Sequence, residues 1–153
     1  MPDAPARRYA YYLTPQGFAE KSRLTVQYLS HSFSFFRLAK GDCARVFDGA
    51  KAAGFNRVVL AGKSDLAEIA ILCAVDAGVS IAAVVDPGAE ASKFIGVDVV
   101  QSYGDVTQPF DAVVVTDLAR AEQSFQAAVA ARGADRVFAP ALLRLSEPAG
   151  RAP

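Results

Sequence analysis

The period of the hydrophobic positions changes near residue 54. Before it, Phe18, Leu24, Tyr28, Leu29, Phe35, Phe36 and Ala39 recur at three-to-four-residue spacing, which predicts a helix with one apolar stripe. Thr14-Pro15 marks its start, because threonine caps backbone N–H groups and proline is tolerated at the first helical position. The helix is expected to reach about Lys40. Gly41 then reads as a stop and Asp42 as the cap of a second helix, roughly Cys43 to Ala53, closed by Gly54. Ahead of the long helix, Arg7 to Leu13 alternates and is rich in tyrosine, the pattern of a short strand.

Beyond residue 54 short Val- and Ala-rich blocks alternate with helical patterns. Arg57–Ala61 and Ser80–Val85 read as buried strands, with a helix from Asp65 to Ala77 between them that closes at Gly78. Val97–Val100, Ala112–Thr116 and Arg136–Ala139 follow as strands three to five, and Leu118–Arg132 as a helix ended by Gly133. The stretch between strands two and three is too short for a full helix. Apolar blocks joined by helical crossovers predict an α/β fold whose parallel sheet is covered on both faces. Right-handed crossovers then give a Rossmann-like five-stranded sheet of order 3-2-1-4-5, preceded by the long N-terminal helix. The expected division is residues 1–53 as strand and helical segment, 54–145 as the Rossmann-like domain, and 146–153 as a tail that frays.

Composition narrows the classes. Hydrophobic residues make up 52% of the 153 positions and charged residues 21%, enough for a proper core. Net charge is zero, which argues against nucleic-acid binding through a basic surface. No apolar run reaches the roughly 18–20 residues that a membrane span needs. Met1 to Arg8 lacks the apolar core of a signal peptide, and Cys43 and Cys73 show no pairing pattern, so a cytoplasmic protein is expected.

The turn after strand one is where such folds place a pyrophosphate, against backbone N–H groups at a helix N-terminus. Here it reads Gly62-Lys63-Ser64-Asp65-Leu66-Ala67. Against G-x-G-x-x-G/A the first glycine is present, Ala67 is an accepted third position, and Ser64 replaces the middle glycine. Asp86, 24 residues after Gly62, stands where an acidic residue would bind ribose hydroxyls, and Thr116 ends strand four at the same crevice. Lys63 and Ser64 are candidate phosphate donors. The bland reading is that Asp65 and Glu68 form a capping box whose charges answer the helix dipole and repel phosphate, while Asp86 merely starts a turn.

Other candidates carry less. His31, the single histidine, has no acidic or cysteine partner at ligand spacing. Cys73 falls on the core side of its helix, whereas Cys43, near the expected second helix start, is placed where a thiol pKa falls. No metal-ligand motif and no Ser/His/Asp pattern is present. The aromatic stripe from Phe18 to Phe36 exceeds what a small domain covers, which points to a homodimer interface rather than an internal core.

Tyr11-Tyr12-Leu13-Thr14-Pro15-Gln16-Gly17-Phe18-Ala19-Glu20-Lys21-Ser22-Arg23-Leu24-Thr25 resembles the last wing strand and following helix of MarR-type winged-helix regulators, especially an exopolysaccharide-associated group. The resemblance covers about 25 residues and implies a long dimerisation helix. It is also similar to bacterial proteins that join such a helix to a Rossmann-like module, as NADH-sensing repressors do. Eight residues stand before Tyr9, too few for a helix-turn-helix, so direct DNA binding by this chain is not expected. A truncated chain and a helix kept for dimerisation alone both remain open.

Three readings follow. The first is a dimeric sensor whose Rossmann-like domain binds NAD(H), CoA or a nucleotide-sugar through Gly62, Lys63, Ser64, Asp65, Asp86 and Thr116. The second is the nucleotide-binding subunit of an oxidoreductase or sugar acyltransferase, which the lack of an acid/base constellation disfavours. The third is a dimeric scaffold that binds nothing.

Overall fold

The computed structural model describes residues 15–145, with side chains from residue 32 onward. The expected strand at Arg7 to Leu13, the Thr14 cap and the tail from Ser146 lie outside the described residues. Contacts divide the chain into two compact units, residues 1–36 and 37–153.

The first unit is helical from Pro15 onward, and its described side chains at Phe33 and Phe36 are exposed. His31 lies within this helix.

One helix, α1, spans Pro15–Ala52 without interruption, so two expectations are corrected. Gly41 does not stop the helix and Asp42 does not cap a second one. A glycine inside a helix costs about 1 kcal/mol relative to alanine, far less than breaking the ladder on both sides of it. Asp42 is instead a buried carboxylate: it pairs with Arg45 one turn on and accepts a hydrogen bond from the backbone N–H of Leu142 at 2.8 Å. Ala39, Cys43, Phe47 and Ala50, spaced four, four and three apart, are fully buried, so the last turns of α1 belong to the second unit's core.

That unit is an α/β layer structure. Strands β1 (Arg57–Ala61), β2 (Ser80–Val85), β3 (Ser92–Phe94), β4 (Val97–Val100), β5 (Ala112–Val115) and β6 (Val137–Phe138) form one mixed sheet in the order β3-β4-β2-β1-β5-β6. Its parallel part, β4-β2-β1-β5-β6, has the order expected for five parallel strands. The expectation of five strands is corrected by β3, which pairs antiparallel with β4 across the turn at Ile95-Gly96. Ser92-Lys93-Phe94 carries little apolar signal because it is an edge strand, with Lys93 paired to Asp98 across the hairpin at 3.0 Å.

Helix α2 (Asp65–Ala77) joins β1 to β2, and α3 (Ala121–Arg132) joins β5 to β6. The expected start of α3 at Leu118 moves to Ala121, because Asp117 holds the intervening backbone in a turn. Arg136 belongs to a 3-10 turn rather than to the last strand, which is Val137–Phe138. All four residues of β5 and the last four of β1 and β2 are buried, as a parallel sheet covered on both faces requires. One core cluster gathers Ala61, Val113, Val115, Val137 and α3's Phe125 and Ala128; a second gathers Val59, Ala82 and Val85. Tyr103 and Phe110 pack against both, with ring centroids 6.4 Å apart. They join the two clusters.

Among the described residues no helix is long and apolar enough to cross a membrane.

Candidate functional site

The chain leaves β1 toward β2 on one side and leaves β5 toward β6 on the other. Neighbouring parallel strands whose connections part in this way leave a crevice between their C-terminal ends, where ligands of open α/β sheets bind. Two loops form its walls here, one after β1 and one after β5.

The β1 loop is bound up in its own contacts. Gly62 has φ +115°, and a side chain there would lie 2.6 Å from the Cα and 2.7 Å from the N of Asp117. Glycine is required at this point by the approach of the second loop, not by a ligand. Thr116, fully buried, donates its hydroxyl to the Gly62 carbonyl at 2.6 Å. Ser64 caps α2, accepting from the N–H groups of Leu66 and Ala67 at 3.1 and 3.2 Å and donating to the Thr116 carbonyl. The capping-box expectation is corrected: the cap is Ser64, while Asp65 and Glu68 sit in the first turn as acidic residues facing the helix dipole. Asp86 accepts from the Lys63 N–H and the Gly88 N–H, both at 2.9 Å. The Lys63 ammonium stands over the Phe94 ring at 5.3 Å from its centroid.

The β5 loop is arranged differently. Asp117 accepts from the N–H groups of Ala119 and Arg120 at 3.0 and 2.8 Å and from the Ser124 hydroxyl at 2.7 Å, which fixes the entry to α3. Arg120 then projects toward the loop after β2, where a side chain on Gly88 would lie 2.8 Å from its guanidinium. Arg120 takes part in no ion pair among the described residues.

At the ends of the strands lies a cavity of about 310 Å³, bordered by the β5 loop and by the loops after β2 and β4. Ala61 and Val85 form its floor, Pro87 and Tyr103 one flank, and Asp117, Arg120, Gln123, Ser124 and Ala127 the other. Burial pushes the Tyr103 phenol up to about 12, so it stays a neutral hydroxyl at physiological pH.

None of the six sequence-predicted residues lines this cavity. Gly62, Asp86 and Thr116 each adjoin a residue that does, while Lys63, Ser64 and Asp65 lie on the first loop outside it. Tyr103, Asp117, Arg120 and Gln123 escaped the sequence reading. The signal available for them was Asp117-x-x-Arg120, a helix-entry acid three residues before an arginine at the end of a predicted strand.

The cysteines offer no reactive thiol. Cys43 lies well inside α1 rather than near a helix start, and burial, with smaller contributions from Cys73 and Asp42, pushes its thiol up to about 12. Cys73 is also raised by burial, and its Sγ lies 3.9 Å from the Lys40 carbonyl. Among the described residues no group of three or more His, Cys, Asp or Glu side chains is placed to hold a metal ion.

The fold and the crevice define an α/β domain with a candidate small-molecule site at the C-terminal ends of its strands. Compared with protein-family models, curated proteins and solved structures, the chain matches none.

Proposed function

We propose that the chain is a regulatory or sensor protein whose Rossmann-like unit binds a nucleotide-type metabolite in the crevice between β1 and β5. The observation that carries this reading is the cavity of about 310 Å³ at the strand ends, with an arginine in no described ion pair on its rim. Its size falls at the lower end of small-molecule sites, and its mixture of apolar walls with a few polar groups is the usual composition of one. Asp117 is the one carboxylate of the lining, and its oxygens are taken up by two N–H groups and a hydroxyl. That arrangement supports binding over acid/base chemistry.

A complete dinucleotide fits this unit poorly. Three of the backbone donors that would meet its pyrophosphate on the β1 loop, those of Lys63, Leu66 and Ala67, are engaged within the protein. Equilibrium titration with NAD(H), acetyl-CoA, a nucleotide-sugar and a mononucleotide tests the reading. Binding by a member of this panel, abolished by Ala127→Phe in a chain that still melts cooperatively, is the expected outcome. No binding at millimolar concentration to the intact chain would end it.

The regulatory part rests on the resemblance of residues 11–25 to winged-helix proteins and on Phe33 and Phe36, exposed rings one helical turn apart in α1. The homodimer is proposed to form along this helix. Light scattering coupled to gel filtration should give twice the chain mass, and Phe36→Asp should return it to the single-chain mass. The self-contained β1 loop favours one further reading, a dimeric scaffold without a ligand, which the titration separates from the first.

A further inference from the structure

The geometry points to Arg120, not the glycine loop, as the phosphate-binding group of this crevice, with a nucleoside monophosphate as its class of ligand. This rests on the reading of the crevice as a nucleotide site and specifies its chemistry. Three observations converge on it.

First, Arg120 is positioned from two sides. Its backbone N–H is fixed by Asp117, and its guanidinium lies against Gly88, where the lack of a side chain makes room for it. The guanidinium thus bridges from the start of α3 to the loop after β2, across the rim of the cavity. It forms no ion pair among the described residues, with the Asp86 carboxylate bordering the same Gly88 and bonded to the Lys63 and Gly88 N–H groups, which leaves its fork of donors for an anion.

Second, the alternative phosphate site is answered from within. The Lys63 N–H is held by Asp86, and the Leu66 and Ala67 N–H groups by Ser64. Asp65 and Glu68 add two negative charges to the same helix end. A pyrophosphate there would displace three hydrogen bonds and face two carboxylates.

Third, the cavity is sized for one nucleoside unit. Its Pro87 and Tyr103 flank offers an apolar wall for a planar base, and the Gln123 amide opposite supplies a donor and an acceptor for a heteroaromatic edge. The Asp117 carboxylate, the one acidic group of the lining, has its oxygens taken up by three donors within the protein.

Isothermal titration of the full chain with AMP, adenosine and NAD⁺ tests the assignment. AMP should bind about ten-fold tighter than adenosine or more, the margin expected of charge-assisted hydrogen bonds to a phosphate. Arg120→Gln should bring AMP down to the level of adenosine while leaving adenosine binding and the circular dichroism spectrum unchanged. Gly88→Ala, which pushes the guanidinium aside, should weaken AMP by a smaller factor in the same direction. Adenosine binding as tightly as AMP, or an AMP preference that survives Arg120→Gln, overturns the assignment but keeps the crevice as a ligand site. NAD⁺ binding tighter than AMP, with the advantage lost in Ser64→Ala, returns the phosphates to the first loop and also overturns it. If all three probes and the wider panel fail to bind, the nucleotide reading falls with it.

Discussion

The loops after β1 and β5 stand side by side at the C-terminal ends of adjacent parallel strands, and each leads into a helix through a polar turn. They differ in what the turn leaves over. In the β1 loop, Ser64, Thr116, Asp86 and the backbone of Gly62 and Lys63 answer one another, so the turn is closed. In the β5 loop, Asp117 holds the backbone ahead of α3, no side chain caps the helix, and Arg120 and Gln123 line the cavity. A helix N-terminus is an anion site only while its N–H groups and dipole are unanswered. Where the protein's own side chains answer them, recognition passes to side chains held nearby.

Gly62→Ala should break this comparison most severely. The added methyl meets the Asp117 backbone in a conformation that side chains avoid, so the two loops are forced apart. A loss of roughly 3 kcal/mol in unfolding free energy is expected, read by urea denaturation. Ser64→Ala should cost about 1–2 kcal/mol by removing the α2 cap, with affinity for a crevice ligand unchanged. A parallel loss of AMP binding in that variant would show that the β1 loop holds ligand after all.

Asp86→Ala should cost about 1 kcal/mol, because water replaces its two hydrogen bonds to the exposed Lys63 and Gly88 N–H groups. The ratio of AMP to adenosine affinity should stay as it was or rise, since Asp86 is a negative charge that borders Gly88 beside the Arg120 guanidinium.

The effect of pH falls outside the physiological range. Cys43 and Tyr103 have folded-state pKa values raised to about 12 from 9.0 and 10.0, so the native state keeps protons that the unfolded chain gives up. Their contribution is whole below pH 9 and is lost as pH rises from there toward 12. The melting temperature should therefore fall across that range and stay level, as far as these groups are concerned, between pH 7 and 8. Tyr103→Phe should flatten the part of the slope above pH 10, and Cys43→Ala the part that begins at pH 9.

Much of the layered unit was legible because the central parallel strands β1, β2 and β5 bury both faces. Val58-Val59-Leu60 and Val113-Val114-Val115 therefore appear as unbroken apolar blocks. The two helices announced themselves by closing glycines at Gly78 and Gly133. Ser92–Phe94 was not legible, since an edge strand needs no apolar signature. Gly41 misled because its local preference is outweighed by hydrogen bonds on either side, and by the burial of Cys43 and Phe47 further along the same face.

The site shows the same division. The sequence by itself determined that a strand, a polar turn and a helix follow one another at Gly62–Asp65, because caps and glycines act within a few residues. It could not determine whether those groups are spent on neighbours or left for a ligand. That depends on Thr116 and Asp86, which lie 52 residues beyond Ser64 and 23 beyond Lys63 and reach the loop only when the sheet assembles. Arg120 is the converse case. In the sequence it is one charge at the start of a helix, and only the tertiary structure sets it against Gly88 on the rim of a cavity, because that contact joins two crossovers that the sheet alone brings together.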